Sequence, residues 1–322
     1  MNAGEQTLTW LYDEQLKIRD AWAIRTPRGF RWWADKNAQT IEVIGRETGP
    51  NGTIAYLISV RTDFLRNLDM TDCSLKAVNE LLMSFSAMAG PVYDANSRTL
   101  TLCSLVRVHR DICSWMNSLI SVASVTQIAE AAVMSHDVAR VLGAEEAVSG
   151  HPERGVRTHP DPMADVVSGL IVPAGKQPCR WSPQDFQVAV KKYMQGPPSL
   201  SAQAEGLGCA VAYPCGKQVS LCHMRADQPH PRYGNGLFLI QSFPLKKISD
   251  TEGTGLALRL NMKELSVRPS GYGFGSFACR EGGIYFTSFL PNVTYGEGLL
   301  PNLYLANANR AREMARHLAA YN

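Results

Sequence analysis

Cys103, His109 and Cys113 fall within eleven positions in "PVYDANSRTLTLCSLVRVHRDIC", residues 91–113. Sulfur and imidazole are zinc ligands, and together they form the nucleophile–base pair of cysteine catalysis. Spacing decides whether they can act together. Successive side chains of a strand alternate in direction. Leu100, Leu102, Val106 and Val108 then face one way, and Thr101, Cys103, Leu105, Arg107 and His109 the other. Cys103 and His109 share a face but stand six residues apart, about 20 Å along a strand. No single ion spans that gap. Cys113 lies beyond the strand, and two ligands do not make a zinc site.

The densest group of sulfurs is "CAVAYPCGKQVSLCH", with Cys209, Cys215, Cys222 and His223. Cys222 and His223 are neighbours and point to opposite faces, which breaks a four-ligand site. His151 and His159 sit eight apart in a segment with no scaffold of its own, and His136 lies on an apolar helix. "GYGFGSFACREGG" lacks the GK[ST] ending of a phosphate loop. Its alternating glycines suit a place where another backbone or ring comes close. No CxxC, GxSxG, HExxH or paired-carboxylate pattern occurs. These residues assign no catalytic, metal or cofactor role. Three other readings stay open: a thiol–imidazole enzyme using Cys222 with His223 or Cys103 with His109, a metal-binding protein, and nucleic-acid binding by the basic second half.

The elements that position these residues follow from periodicity. Before residue 144 a helix is expected over 6–18. The strands "GFRWWA", "QTIEVIGRE" and "TIAYLISVRTDF" follow, the last two joined by a turn at Asn51-Gly52. Leu75, Val78, Leu81, Leu82 and Phe85 recur at helical spacing, with Thr71 or Asp72 as the cap. Two strands around "DANSR" and a long helix over 114–142 close this half. After residue 180 the order returns. A helix begins at Ser182-Pro183-Gln184-Asp185, followed by the strands "GLGCAVAYP", "QVSLCHMR" and "GLFLIQSFPLKK". A helix over 255–265, the pair "GYGFGSFACR" and "GIYFTSFLP", and a helix over 299–321 complete it.

Each half therefore reads helix, three strands, helix, two strands, helix. The expected fold class is α+β in two tandem domains, 1–144 and 181–322, each an antiparallel sheet packed with helices. Between them 145–180, with five prolines and no period, is expected to be a surface linker.

The chain has 322 residues, 45% hydrophobic and 19% charged, enough to bury a substantial core. Its net charge of +3 conceals an asymmetry. Residues 1–150 carry 14 basic against 17 acidic side chains, and 181–322 carry 14 against 9. A total this small does not point to a nucleic-acid partner. The acidic start lacks an apolar leader, and no apolar run approaches the ~18 residues of a membrane span. With eight irregularly spaced cysteines read as reduced and buried, the expected location is cytoplasmic.

In element order, and through "GFRWWADKNAQTIEV", "VRTDFL" and "VYDANSRTLTLCSLVRVHRD", the chain resembles the YbjN-like domains and class I type III secretion chaperones grouped as bacterial TY-Chap domains. The second half resembles them mainly in order. This resemblance implies a helix-covered antiparallel sheet that binds other proteins, with no catalytic residues to carry over. Those chaperones are small acidic homodimers, whereas this chain is a slightly basic tandem. Fusion of the pair would stand in for the homodimer, and further dimerisation stays open. The expected partner is a protein or peptide client docked on a sheet face or edge by main-chain pairing.

Within the aromatic cluster Trp22, Phe30, Trp32, Trp33 and Tyr56, adjacent Trp32 and Trp33 must face opposite sides of one strand. One belongs to the core. The other packs under a helix or anchors the partner, with Arg31, Arg61 and Arg107 as its rim.

Overall fold

The computed structural model describes residues 1–49, 51–84, 86–163, 177–196, 201–246 and 248–318. Phe85, 164–176 of the expected linker and the end of the last expected helix at Tyr321 lie outside them. The molecule is α+β, with two antiparallel sheets and six α-helices among the described residues.

The first repeat opens with α1 (Ala3–Thr9), capped by Asn2 and Glu5 reciprocally, and extended by a wide π turn over Trp10–Gln15. Four strands follow as an antiparallel meander: β1 (Ala23–Thr26), β2 (Gly29–Trp33), β3 (Ala38–Thr48) and β4 (Ile54–Arg66). α2 (Asp72–Val78) starts at Thr71, whose hydroxyl accepts from the Ser74 amide. It runs into a second π turn, Asn79–Met83. β5 (Gly90–Asp94), β6 (Thr99–Val108) and α3 (Cys113–Leu142) complete the unit, and α3 stops at Gly143 with φ of 64°. A short β7 (Glu145–Glu146) returns to β4.

The second repeat runs α4 (Pro183–Tyr193), β8 (Ser201–Glu205), β9 (Gly208–Cys215), β10 (Gln218–Arg225), β11 (Gly236–Phe243), α5 (Asp250–Met262), β12 (Ser276–Arg280), β13 (Gly283–Pro291) and α6 (Leu299–Leu318). Ser182 and Asp185 form the expected capping box of α4. α5, like α2, passes into a π turn, Lys263–Val267.

Strand order is β1-β2-β3-β4-β6-β5 in one sheet and β8-β9-β10-β11-β13-β12 in the other. The two are the same order, position for position. Each repeat has four leading strands where three were expected. β1 is "AIRT" and β8 is "SAQAE", short and largely exposed, so neither carries the apolar alternation that marks a half-buried strand. The β3–β4 turn forms at Gly52, which alone there takes positive φ, while Glu281 and Gly282 both do so in the tight β12–β13 turn.

α1 and α3 cover one face of the first sheet, and α4 and α6 one face of the second. One apolar core runs through both repeats, from Leu11 and Trp32 to Phe286 and Met314. α3 is long and apolar enough to cross a membrane, yet 78% of its most apolar window is buried inside the molecule.

The repeats join reciprocally. α2 packs on α5, and β5 lies beside β12. Where β5 ends at Gly90, opposite Cys103, the next outward amide of β6, Leu105, donates to the Gly273 carbonyl (3.3 Å). Where β12 ends at Ser276, opposite Thr287, the next outward amide of β13, Phe289, donates to the Ala87 carbonyl (3.1 Å). Each long strand is thus finished by the loop of the other repeat. Side chains follow the same exchange: Leu265 seats on Val92 and Cys103 of the first sheet, and Ala87 on Tyr233 and Phe289 beside the second. This is the pattern of a two-fold interface, in which patch i meets j and j meets i. Gly273 is required here, because a Cβ would lie 2.1 Å from the Leu105 carbonyl oxygen.

Candidate binding surfaces

The alternation read from the sequence places the reactive-looking residues apart. Cys103 is fully buried between Val92 and Leu265, while His109 lies past the end of β6. Burial pushes the Cys103 thiol up to about 11. Cys222 is buried on the core face of β10, where desolvation raises its thiol, and His223 is exposed on the opposite face. Cys209 is held at about 12 by burial. All eight cysteines are free thiols, and only Cys73 is exposed. Among the described residues no three of His, Cys, Asp and Glu group as metal ligands.

The tryptophan expectation is corrected. Trp32 is 1% exposed, and its Nε1 donates to Gln39 within the core. Trp33 does lie on the opposite face, but it is 2% exposed and presents no anchor. Its cover is neither helix nor partner. The stretch 147–163, expected as surface linker, folds back over it. Trp33 Nε1 donates to Ser149 (3.2 Å), His151 packs edge-on against its ring, and buried Arg157 donates to the Trp33 carbonyl (2.6 Å) while pairing with Asp161 (3.0 Å). The arginines expected as a rim have local partners instead: Arg31 with Asp63 (2.8 Å), Arg61 with Glu42 (2.5 Å) and Arg107 with Glu47 (2.6 Å). Arg31 and Arg61 stay half-exposed on this face, but no aromatic group stands open between them.

One signal in the sequence went unread. "HPERG" at 151–155 and "HPRYG" at 230–234 share the pattern H-P-x-x-G and fold alike. In each, the histidine and glycine exchange backbone hydrogen bonds, and the imidazole Nδ1 accepts an amide two residues on, from Glu153 or Arg232. Both imidazoles are buried against aromatic rings, Trp33 in one case and Phe289 in the other. The second turn also carries Tyr233, whose hydroxyl donates to buried Glu130 of α3 (2.9 Å), with Arg232 at 3.8 Å. Burial raises the Glu130 carboxyl above its ordinary value, against the pull of Arg232 and Tyr233.

Sheet edges differ sharply in how they are finished. The Glu281-Gly282 turn sets which β12 residues point away from β13: Phe277 and Cys279. Both are clamped by side-chain amides. Asn261 of α5 donates to the Phe277 carbonyl (3.1 Å) and accepts its amide (2.6 Å). Asn79 of the first repeat does the same at Cys279 (2.8 and 2.9 Å). The edge is closed. At β1, Arg25 occupies an outward position, paired with Asp13 and lying over the Tyr12 ring.

Among the described residues β8 has no such guard. Its register with β9, closed by a two-residue turn at Gly206-Leu207, turns the N–H and C=O of Ala202 and Ala204 outward. Among the described residues no strand pairs on that side. The two residues whose backbone groups turn outward, Ala202 and Ala204, carry only methyl side chains. Apolar surface lies nearby. Val188 and Met194 are 44% and 62% exposed at α4, the helix packed on β8, whereas Val219, Leu221 and Ile240 protrude from the uncovered face farther in, on β10 and β11 beyond β9.

Compared with protein-family models, curated proteins and solved structures, the chain matches none.

Proposed function

We propose that this protein is a non-enzymatic, chaperone-like binding protein that takes an extended segment of a client protein as an added strand along β8. The observation that carries this reading is the contrast between edges: β12 is closed by Asn79 and Asn261, whereas among the described residues the outward groups of Ala202 and Ala204 have no hydrogen-bond partner. An unguarded edge is a template for another strand, and main-chain pairing supplies affinity without demanding one client sequence. Apolar side chains of the client on the helix-covered face meet Val188 and Met194. The reciprocal seam supports the view that two chaperone-like units are fused in place of a homodimer. Eight unpaired thiols support a reducing, cytoplasmic setting.

A proline at position 204 removes one outward N–H and places a ring on the edge, yet spares the ladder to β9. With a photoreactive group at Gln203, the client is captured in native cells, identified by mass spectrometry and purified with the protein. Ala204→Pro is expected to bind that client at least tenfold more weakly while melting as the wild type does. Equal affinity in the variant sinks the reading. A concentration-dependent dimer abolished by the same change reassigns the edge to a second copy of the chain.

A further inference from the structure

A groove of about 600 Å³ lies on the seam, where the β3–β4 turn and the end of β6 face α5, its π turn and α6. That size falls within the ~300–1,000 Å³ of small-molecule sites. Its charges are unevenly matched. Arg107 and Arg268, one from each repeat, share the single carboxylate of Glu47 at 2.6 and 2.8 Å. Against the desolvation of burial, the two guanidiniums hold Glu47 below its ordinary value. Lys263 Nζ lies 2.5 Å from His317 Nε2, a cation set against an imidazole rather than an acid. Arg312 donates to the neutral Asn309 side chain.

Among the described residues neither Lys263 nor Arg312 pairs with a carboxylate. Two of the remaining acids of the walls pair with arginines behind the lining, Glu264 with buried Arg310 (3.1 Å) and Glu313 with Arg316 (2.7 Å), while Asp111 stands in the lining beside His109 (3.6 Å). The lining's four carboxylates meet four cations, and with Arg310 and Arg316 behind the walls counted, six cations face four carboxylates in a concave site. An ammonium that already gives one proton to an imidazole keeps two more to donate.

We infer that this groove binds a small, multiply charged oxyanion between Lys263 and Arg312, with His317 beside them. Phosphate esters and polycarboxylates share this chemistry, and pyrophosphate and citrate serve as the probes for each. The site draws walls from both repeats and lies apart from the strand-docking edge.

Calorimetric titration in dilute buffer, against sodium chloride of matched ionic strength, is expected to show one site for at least one probe. Whichever probe binds names the source. Lys263→Ala and Arg312→Ala should each weaken binding at least tenfold and leave the ligand-free melting temperature unchanged. Arg66→Ala, which breaks only an exposed pair with Glu145, should change nothing. The inference is overturned by heats no larger than those of the salt control, or by either groove variant binding as the wild type does. It is overturned in favour of a nucleic-acid surface if only a single-stranded oligonucleotide binds, with a steep salt dependence.

Discussion

Cys222 and His223 show how far single residues were legible. Strand alternation alone separates them onto opposite faces, as it separates Trp32 from Trp33, and the structure places them so. What covers each face is a different matter. Trp33 is sealed by Ser149, His151 and Arg157, more than a hundred residues along the chain, and no local period reports a contact at that separation. Buried thiols with raised pKa values do not form thiolate at neutral pH. Alkylation of the native protein followed by peptide mass spectrometry is therefore expected to modify Cys73 early and Cys103, Cys209 and Cys222 only on unfolding. Rapid labelling of any of the three would reopen thiol chemistry. Glu146 titrates at the other extreme. Lys36 first, then His136 and Ser135 hold its carboxyl at about 2. A lowered folded value contributes stability above the ordinary carboxylate pKa and loses it as pH falls from about 4.5 toward 2. Glu146→Gln should flatten that acid limb in pH-dependent melting curves. An unchanged limb would remove Glu146 from its cause.

At the scale of elements, caps and long strands were readable because their determinants are local: Thr71 and Ser182 at helix starts, and the alternation of β6. β1 and β8 were missed for the physical reason that makes them edges. Half of each strand's hydrogen-bonding capacity faces away from the sheet, and the side chains, Ile24 apart, are small or polar. The asparagine clamps were equally silent, since Asn79 meets Cys279 only after two repeats have folded together. Cys279 is 3% exposed, so Asn79→Ala would strand a buried amide and carbonyl, a loss of about 1–3 kcal/mol. Urea denaturation checks this value. A change within a few tenths would mean that water replaces the amide without cost.

For the whole molecule, the repeat of element order in the sequence pointed to two like units, and the matching strand orders realise it. The seam could not be foreseen, because Gly273 and Ala87 carry no sign of what they meet. Across that seam Glu130, on the first repeat, faces Arg232 and Tyr233 of the second. Its raised carboxyl favours the protonated folded form, so this contribution is full below the ordinary carboxylate pKa and declines as pH rises through the raised value. Glu130→Gln keeps an acceptor for the Tyr233 hydroxyl and carries no charge. It is expected to melt higher than the wild type at pH 8, with the gap closing toward pH 4. A variant less stable at pH 8 would show that the Arg232 attraction dominates.

Completion of each long strand by the opposite repeat also sets an order in time. When the first sheet leaves the ribosome, the partner for Leu105 and the cover for Val92 and Cys103 have not been made. At roughly 5–20 residues per second, the ~180 residues from the end of β6 to the end of β13 leave that surface bare for roughly 10–40 s. A nascent chain halted between the repeats should therefore expose a sticky flank and draw holding factors that the finished protein does not need.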